Sequence, residues 1–128
     1  MKDTILFIDD DKSSHNLVDI IVKTHMDSKY KILHAYNGSD GINLARSHQN
    51  IIGLIFIDIM LSDMQGTDAA KSVRAIYEST KIAIVFQSGA VNNLSQLSQN
   101  TCDNLHAMYK PYGAEEFVEF VHRLFINT

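Results

Sequence analysis

Three uninterrupted apolar runs divide the chain, and each stops at a polar residue. Ile5-Leu6-Phe7-Ile8 runs into Asp9-Asp10-Asp11, Leu54-Ile55-Phe56-Ile57 into Asp58, and Ile82-Ala83-Ile84-Val85-Phe86 into Gln87-Ser88-Gly89. Apolarity that is continuous rather than alternating marks strands covered on both faces. Tyr30 to Tyr36, β-prone but mixed in polarity, predicts a strand nearer a sheet edge. Leu105 to Tyr109, stopped at Lys110-Pro111, predicts a short last strand.

Helical spacing fills the intervals. Leu17, Ile20, Ile21 and Thr24 recur with that period behind Ser13 and Ser14, either of which suits a helix cap, as does Asp11. Asn37-Gly38-Ser39-Asp40 punctuates and caps a helix carrying Ile42, Leu44 and Ala45, and a third helix is expected near Ala69 to Ile76. Phe117, Phe120, Val121, Leu124 and Phe125 give the closing helix an apolar stripe, with Phe125 or Tyr112 the candidates to stay exposed as a partner surface. Val91 to Asn104 has only Leu94 and Leu97 as apolar anchors among Asn, Ser and Gln, which predicts a weakly packed segment that moves.

Five alternations of strand and helix imply an α/β fold. The expected form is a doubly wound, five-stranded parallel sheet with helices on both faces, because each connection must return to the same end. In such folds ligands gather at the carboxyl ends of the strands.

Composition narrows the function. The 128 residues, 45% of them hydrophobic, suit one domain spanning 1–128, with no linker, repeat or further output domain expected. Eleven Lys and Arg against 15 Asp and Glu give a net charge of −4, so no basic footprint for nucleic acid is present. Cys102 is alone, so it has no disulfide partner within the chain. The N-terminus lacks the shape of a signal peptide and no apolar run approaches a membrane span, which points to the cytoplasm. His15, His25, His34, His48, His106 and His122 show no pair at metal-ligand spacing and read as surface or core residues.

The chemistry lies at the strand ends. Asp9, Asp10, Asp58, Ser88 and Lys110 all fall at or just beyond a predicted carboxyl end. Three crowded carboxylates repel, and a hard cation, Mg²⁺ above all, removes that cost through oxygen ligation by Asp9, Asp10 and Asp58. Asp58 can then stay ionised and attack a phosphoryl donor, with Lys110 and Ser88 placed to neutralise the phosphoryl oxygens.

At this point the chain resembles the receiver domain of two-component response regulators, the CheY-like family of flavodoxin-like (βα)5 fold. The likeness covers essentially the whole chain and rests on four pieces in order. They are Ile5 to Asp11, then Leu54 to Leu61 with Gly66, then Phe86-Gln87-Ser88-Gly89-Ala90, and finally Lys110-Pro111. The resemblance implies that Asp58 takes a phosphoryl group from a sensor histidine kinase or phosphotransfer protein, that Asp9 and Asp10 hold Mg²⁺, and that Ser88 and Lys110 engage the phosphate. It also implies a cis Lys110-Pro111 bond and a downstream protein whose affinity is switched, and leaves open a homodimer formed on phosphorylation. The chain would be a switch that assists its own phosphorylation and dephosphorylation rather than a true enzyme.

Two positions depart from the family pattern. Ser62 stands where the loop after the phosphorylated aspartate usually carries proline, which predicts a less rigid loop. Ala107 stands three residues before the lysine, where an aromatic that swings inward is usual; Tyr109 is expected to point to the opposite face of that strand. This departure keeps open a receiver-fold binding module that works without phosphorylation. A haloacid-dehalogenase-type phosphatase built on Asp9-Asp10-Asp11 is a further alternative. It would leave Asp58 without a role and would have only Glu115, Glu116 and Glu119 for its last acidic motif.

Overall fold

The computed structural model describes residues 1–89 and 104–126. Five parallel strands form one sheet: β1 (Thr4–Ile8), β2 (Lys31–Ala35), β3 (Ile52–Asp58), β4 (Ile84–Ser88) and β5 (Leu105–Tyr109), in the order β2-β1-β3-β4-β5. Four helices are described: α1 (Lys12–His25), α2 (Gly38–Ser47), α3 (Gly66–Ile76) and α4 (Ala114–Leu124). The doubly wound parallel architecture expected from the alternation is therefore present. The weakly packed segment expected at Val91 to Asn104 lies, except for Asn104, outside the described residues, and so does Cys102.

Both faces of the sheet are covered, which is why its central strands carry uninterrupted apolar runs, Ile5 to Ile8 in β1, Leu54 to Ile57 in β3 and Ile84 to Phe86 in β4. Leu6, Ile8, Ile55, Ile57, Ile84 and Phe86 pack with Ala45, Ala69, Ala70 and Val73 of α2 and α3. Ile5, Phe7, Leu54, Phe56 and Val85 pack on the other face with Val18 and Ile21 of α1 and Phe117 and Val121 of α4. Phe7, Phe56, Phe86 and Phe117 are among the largest fully buried side chains. Truncating any one of them to alanine costs about 3–5 kcal/mol.

Three local expectations are corrected. The core-facing residues of α1 are Ser14, His15, Val18, Ile21 and Val22, whereas Leu17 and Ile20 are 40% and 62% exposed. The buried stripe is thus turned by about one residue from the apolar count, because small and aromatic-like polar residues, Ser14 and His15, fill the tight contact with the sheet. The α1 cap is Asp11, whose Oδ1 accepts from the Ser13 amide at 3.0 Å, rather than Ser13 or Ser14. Phe125 and Tyr112 are 7% and 8% exposed and pack on α1 and α4, so neither offers a partner surface.

Among the described residues, the buried polar ones are Thr4, Asp9, Ser14, His15, Gln87 and Ser88. Asp9, Gln87 and Ser88 lie together at the carboxyl edge of β1 and β4. Polar groups are left inside a protein only when they are hydrogen-bonded, so this edge must contain a network.

Candidate functional site

Asp58 is the last residue of β3 and Asp9 the first after β1, and the strands are paired in register with Ile8 opposite Ile57. Parallel pairing of neighbouring strands brings both carboxylates to the same edge. Lys110, just past β5, reaches across that edge: its Nζ donates to Asp9 Oδ2 at 2.6 Å and to Asp58 Oδ2 at 3.0 Å. The Lys110 amide also donates to the Ser88 carbonyl at 2.9 Å, extending the β4–β5 ladder by one bond, and the Lys110-Pro111 peptide is cis as expected.

Each carboxylate has a second support. Asp58 Oδ1 accepts from the Met60 amide at 2.9 Å, and Asp9 Oδ1 from the Asp11 amide at 2.8 Å. Burial pushes the Asp58 carboxyl above the usual carboxylate range and the charge of Asp9 adds to this, against the opposing pull of the Met60 amide and Lys110. For Lys110 burial works against the charge, but the hydrogen bond and charge of Asp9, followed by those of Asp58, outweigh it and hold the ammonium above its ordinary value.

Gly66 is required by the path of the backbone behind Asp58. A Cβ there would run into the Asp58 carbonyl oxygen and the Ile59 Cα. The loop between Asp58 and Gly66 is tied down at two points: Leu61 donates to the Met64 carbonyl at 3.2 Å, and Asp63 accepts from the Gly38 and Ser39 amides at 2.8 and 2.9 Å. Where proline was missing at Ser62, the neighbouring aspartate clamps the loop onto the start of α2.

Of the residues singled out from sequence, Asp9, Asp58 and Lys110 are joined directly. Ser88 ends β4, is 5% exposed and neighbours Gln87, which pairs with Asp58 in the sheet. Asp10 is exposed beside Asp9. Among the described residues no three acidic, histidine or cysteine side chains form a ready-made metal cage. Lys110 lies between Asp9 and Asp58 instead. The donor set still suits a hard divalent cation: three carboxylates against one ammonium leave two negative charges in excess, and every free ligand is oxygen.

Two groups in this neighbourhood escaped the sequence reading. Gln87 is fully buried; its Nε2 faces Asp9 Oδ2 at 3.4 Å while its Oε1 accepts from the Tyr112 hydroxyl at 3.0 Å. His15, also buried, contacts the Asp9 carbonyl through Nε2 at 2.7 Å and His34 Nδ1 through Nδ1 at 2.6 Å, and His34 Nε2 meets Asp19 Oδ1 at 2.9 Å. A carbonyl and a carboxylate only accept, so in this geometry the hydrogens of both Nε2 atoms face those oxygens. Burial, first of all, lowers the pKa of His15 below its ordinary value.

The expectation for Tyr109 is also corrected. Ala107 and Tyr109 are two residues apart in β5, so they share a face, and both are exposed, whereas Met108 between them is buried against the α1 and α4 side.

A cleft of about 150 Å³ opens beside Lys110, lined by Ser13, Ser14, Leu17, Pro111 and Tyr112. Among the described residues no helix is long and apolar enough to cross a membrane.

Comparison with known proteins places these features in a family context. Residues 5–122 match the family described as response regulator receiver domain. The chain is 25% identical over 116 residues to histidine kinase P4 of Formosa agariphila, covering 91% of this chain and 8% of that protein. It is 23% identical over 118 residues to the cell cycle transcriptional regulator CtrA of Caulobacter vibrioides, covering 92% of this chain and 48% of the regulator. The chain thus spans half or less of the length of these relatives. Among solved structures it is similar to a two-component response regulator from Clostridium difficile, with a TM-score of 0.77, 26% identity and coverage of 95% and 94% of the two chains. A CheY-like receiver domain protein from Methanospirillum hungatei gives a TM-score of 0.78 at 21% identity, covering 96% and 93%. The receiver domain of Saccharomyces cerevisiae Ssk1, solved in complex with the histidine phosphotransfer protein Ypd1, gives 0.79 at 18% identity, covering 97% and 89%.

Proposed function

Because the chain belongs to the response regulator receiver domain family, we propose that Asp58 accepts a phosphoryl group from a phosphohistidine and that the resulting change switches affinity for a downstream protein. The observation that carries this reading is the Asp9–Lys110–Asp58 bridge at the carboxyl edge of the sheet.

Asp58 is 14% exposed at its side chain, open enough for a donor phosphorus to approach and dry enough for the neighbouring charges to act strongly. One Asp58 oxygen attacks the phosphorus; the new O–P bond forms as the P–N bond of the donor breaks, and the bonding pair stays on the donor imidazole. Lys110 begins on Asp58 Oδ2 and follows the charge onto a transferred phosphoryl oxygen. The Met60 amide holds the other oxygen of Asp58 and fixes the direction of attack. Ser88, at the end of the adjoining strand, offers its hydroxyl to the same group. A divalent cation, Mg²⁺ by its abundance and its preference for oxygen, would be held by Asp9, Asp10 and Asp58 and would neutralise the two surplus charges and the incoming phosphoryl oxygens.

The donor is a histidine kinase or phosphotransfer protein. Leu17, which lines the cleft at Lys110, and Ile20 one turn on along α1 are 40% and 62% exposed and give such a partner an apolar platform. Incubation with a phosphorylated histidine phosphotransfer protein and Mg²⁺ tests the reading. Label should move to this chain in an alkali-labile form typical of an acyl phosphate. Label that stays on the donor, or arrives in an alkali-stable form, would refute it.

A further inference from the structure

We propose that His15 is a positioning residue for the cation-binding pair Asp9 and Asp10: its hydrogen bond to the Asp9 carbonyl holds the peptide that joins them, and His34 and Asp19 hold its ring. The inference rests on the reading of Asp9, Asp10 and Asp58 as ligands of a divalent cation.

That peptide lies just past the end of β1. The Asp9 amide still reaches β2, donating to the Ala35 carbonyl at 3.0 Å, but among the described residues no backbone amide reaches the Asp9 carbonyl. His15, in the first turn of α1, supplies the donor instead, with Nε2 2.7 Å from that oxygen. A peptide is planar, so holding its carbonyl fixes the direction in which the chain leaves for Asp10. The buried Asp9 carboxylate is also held by the Asp11 amide and Lys110. Asp10 is exposed, so its carboxylate is aimed chiefly by the backbone that carries it. Groups that orient a metal's ligands from behind commonly set how tightly the metal is held.

The imidazole is itself held in place. Its Nδ1 is 2.6 Å from His34 Nδ1, and His34, opposite Phe7 in the β1–β2 ladder, has Nε2 2.9 Å from Asp19 Oδ1, one turn further along α1. Phe7 meets the ring edge-on with 4.9 Å between centroids, and Tyr36 covers it at 4.1 Å. His15 is 1% exposed and the Asp19 side chain 46%, so the contacts run from the surface inward to the peptide behind the two acids. Phe7 and Tyr36 would pack as well on an apolar side chain. Packing therefore does not explain a polar ring at this buried position, whereas the Asp9 carbonyl does.

The experiment titrates Mg²⁺ calorimetrically into the wild type, H15L, H15Q, H34F and H15L/H34F, and follows the Mg²⁺ dependence of phosphoryl uptake from acetyl phosphate and the Tm of each chain. The pH is kept well above the ordinary histidine value of 6.5. Glutamine keeps an N–H donor for the Asp9 carbonyl and leucine does not. H15L should bind Mg²⁺ about tenfold more weakly and need correspondingly more of it for half-maximal uptake, with the rate at saturating Mg²⁺ little changed. H15Q should recover most of the affinity although it loses the ring packing and melts lower than the wild type. H34F should weaken binding less than H15L, and H15L/H34F no more than H15L, because both act through one hydrogen bond. Unchanged Mg²⁺ affinity in H15L, equal weakening in H15L and H15Q, or additive losses in the double variant would overturn the positioning alone. Where H15L fails to fold, H34F decides: weaker Mg²⁺ binding than the wild type supports the positioning and unchanged binding overturns it. A wild type that binds no Mg²⁺ would overturn the cation reading and this inference with it, and one that binds Mg²⁺ but takes up no label would overturn only the acceptor reading.

Discussion

Lys110 Nζ joins Asp9 Oδ2 at 2.6 Å to Asp58 Oδ2 at 3.0 Å, so one ammonium from the end of β5 neutralises carboxylates delivered by β1 and β3. Asp9 is wholly buried and the Lys110 side chain is 20% exposed, so the bridge is screened far less than a surface pair. Among the described residues, Lys110→Met leaves Asp9 with Gln87 and the Asp11 amide as its donors. Unfolding by urea should show a loss of about 2 kcal/mol, and phosphoryl uptake should fall by about a hundredfold or more.

Asp58 carries its own signature in the pH dependence. An acid whose pKa is raised on folding binds its proton more tightly when folded. Its contribution to stability is complete below the unfolded value of 3.8 and is lost as pH rises through the raised value. The ionised group therefore costs stability near neutrality. Asp58→Asn should raise Tm there by up to about 4 °C, and the gain should shrink as the pH is taken toward 3.8.

His15 acts in the opposite direction. Its folded pKa is lowered, first by burial and further by the His34 charge, although the Asp9 carbonyl and the Asp9 and Asp19 charges oppose this. The unfolded chain therefore binds the extra proton, and stability present above 6.5 is lost as pH falls below that value toward the depressed one. His15→Gln keeps a donor for the Asp9 carbonyl without a titrating ring. Thermal melts across this range should show a shallower loss for that variant than for the wild type.

Gly66 makes a steric prediction. Because a methyl group there collides with the Asp58 carbonyl and the Ile59 backbone, Gly66→Ala must shift the strand end or the loop. Calorimetry should record a destabilisation of about 3 kcal/mol, accompanied by slower phosphoryl uptake.

Mg²⁺ binding is a linkage prediction. At about a hundred times its dissociation constant the ion should add about 2.7 kcal/mol to folding stability. Asp10→Ala, an exposed change with little effect on the bare fold, should abolish that increment in thermal melts with and without the ion.

How much of this was visible in the sequence depended on how each residue signals its environment. The central strands announced themselves because burial on both faces allows no polar position between Ile5 and Ile8 or between Leu54 and Ile57. An acid at the end of such a run, as at Asp9 and Asp58, stands out for the same reason. Gln87 did not stand out because it looked like the first loop residue, whereas β4 continues through it to Ser88. The face of α1 was misjudged because hydrophobicity favours Leu17 and Ile20, while the close approach of helix to sheet selected Ser14, His15 and Val18. The His15–His34 contact joins residues from α1 and β2 that only the β1–β2 pairing brings together, and no local spacing encodes it. Asp63 was equally silent, since its partners are amides at the start of α2, 25 and 24 residues away.

The central claim is that Asp58 is the phosphoryl acceptor, and the intact mass of the purified chain after exposure to acetyl phosphate with Mg²⁺ tests it most directly. The wild type should gain the mass of one phosphoryl group, lose it again after alkaline treatment, and gain nothing when the ion is chelated, while Asp58→Asn stays unmodified throughout. A mass gain retained in Asp58→Asn, or no gain in the wild type, would contradict the account.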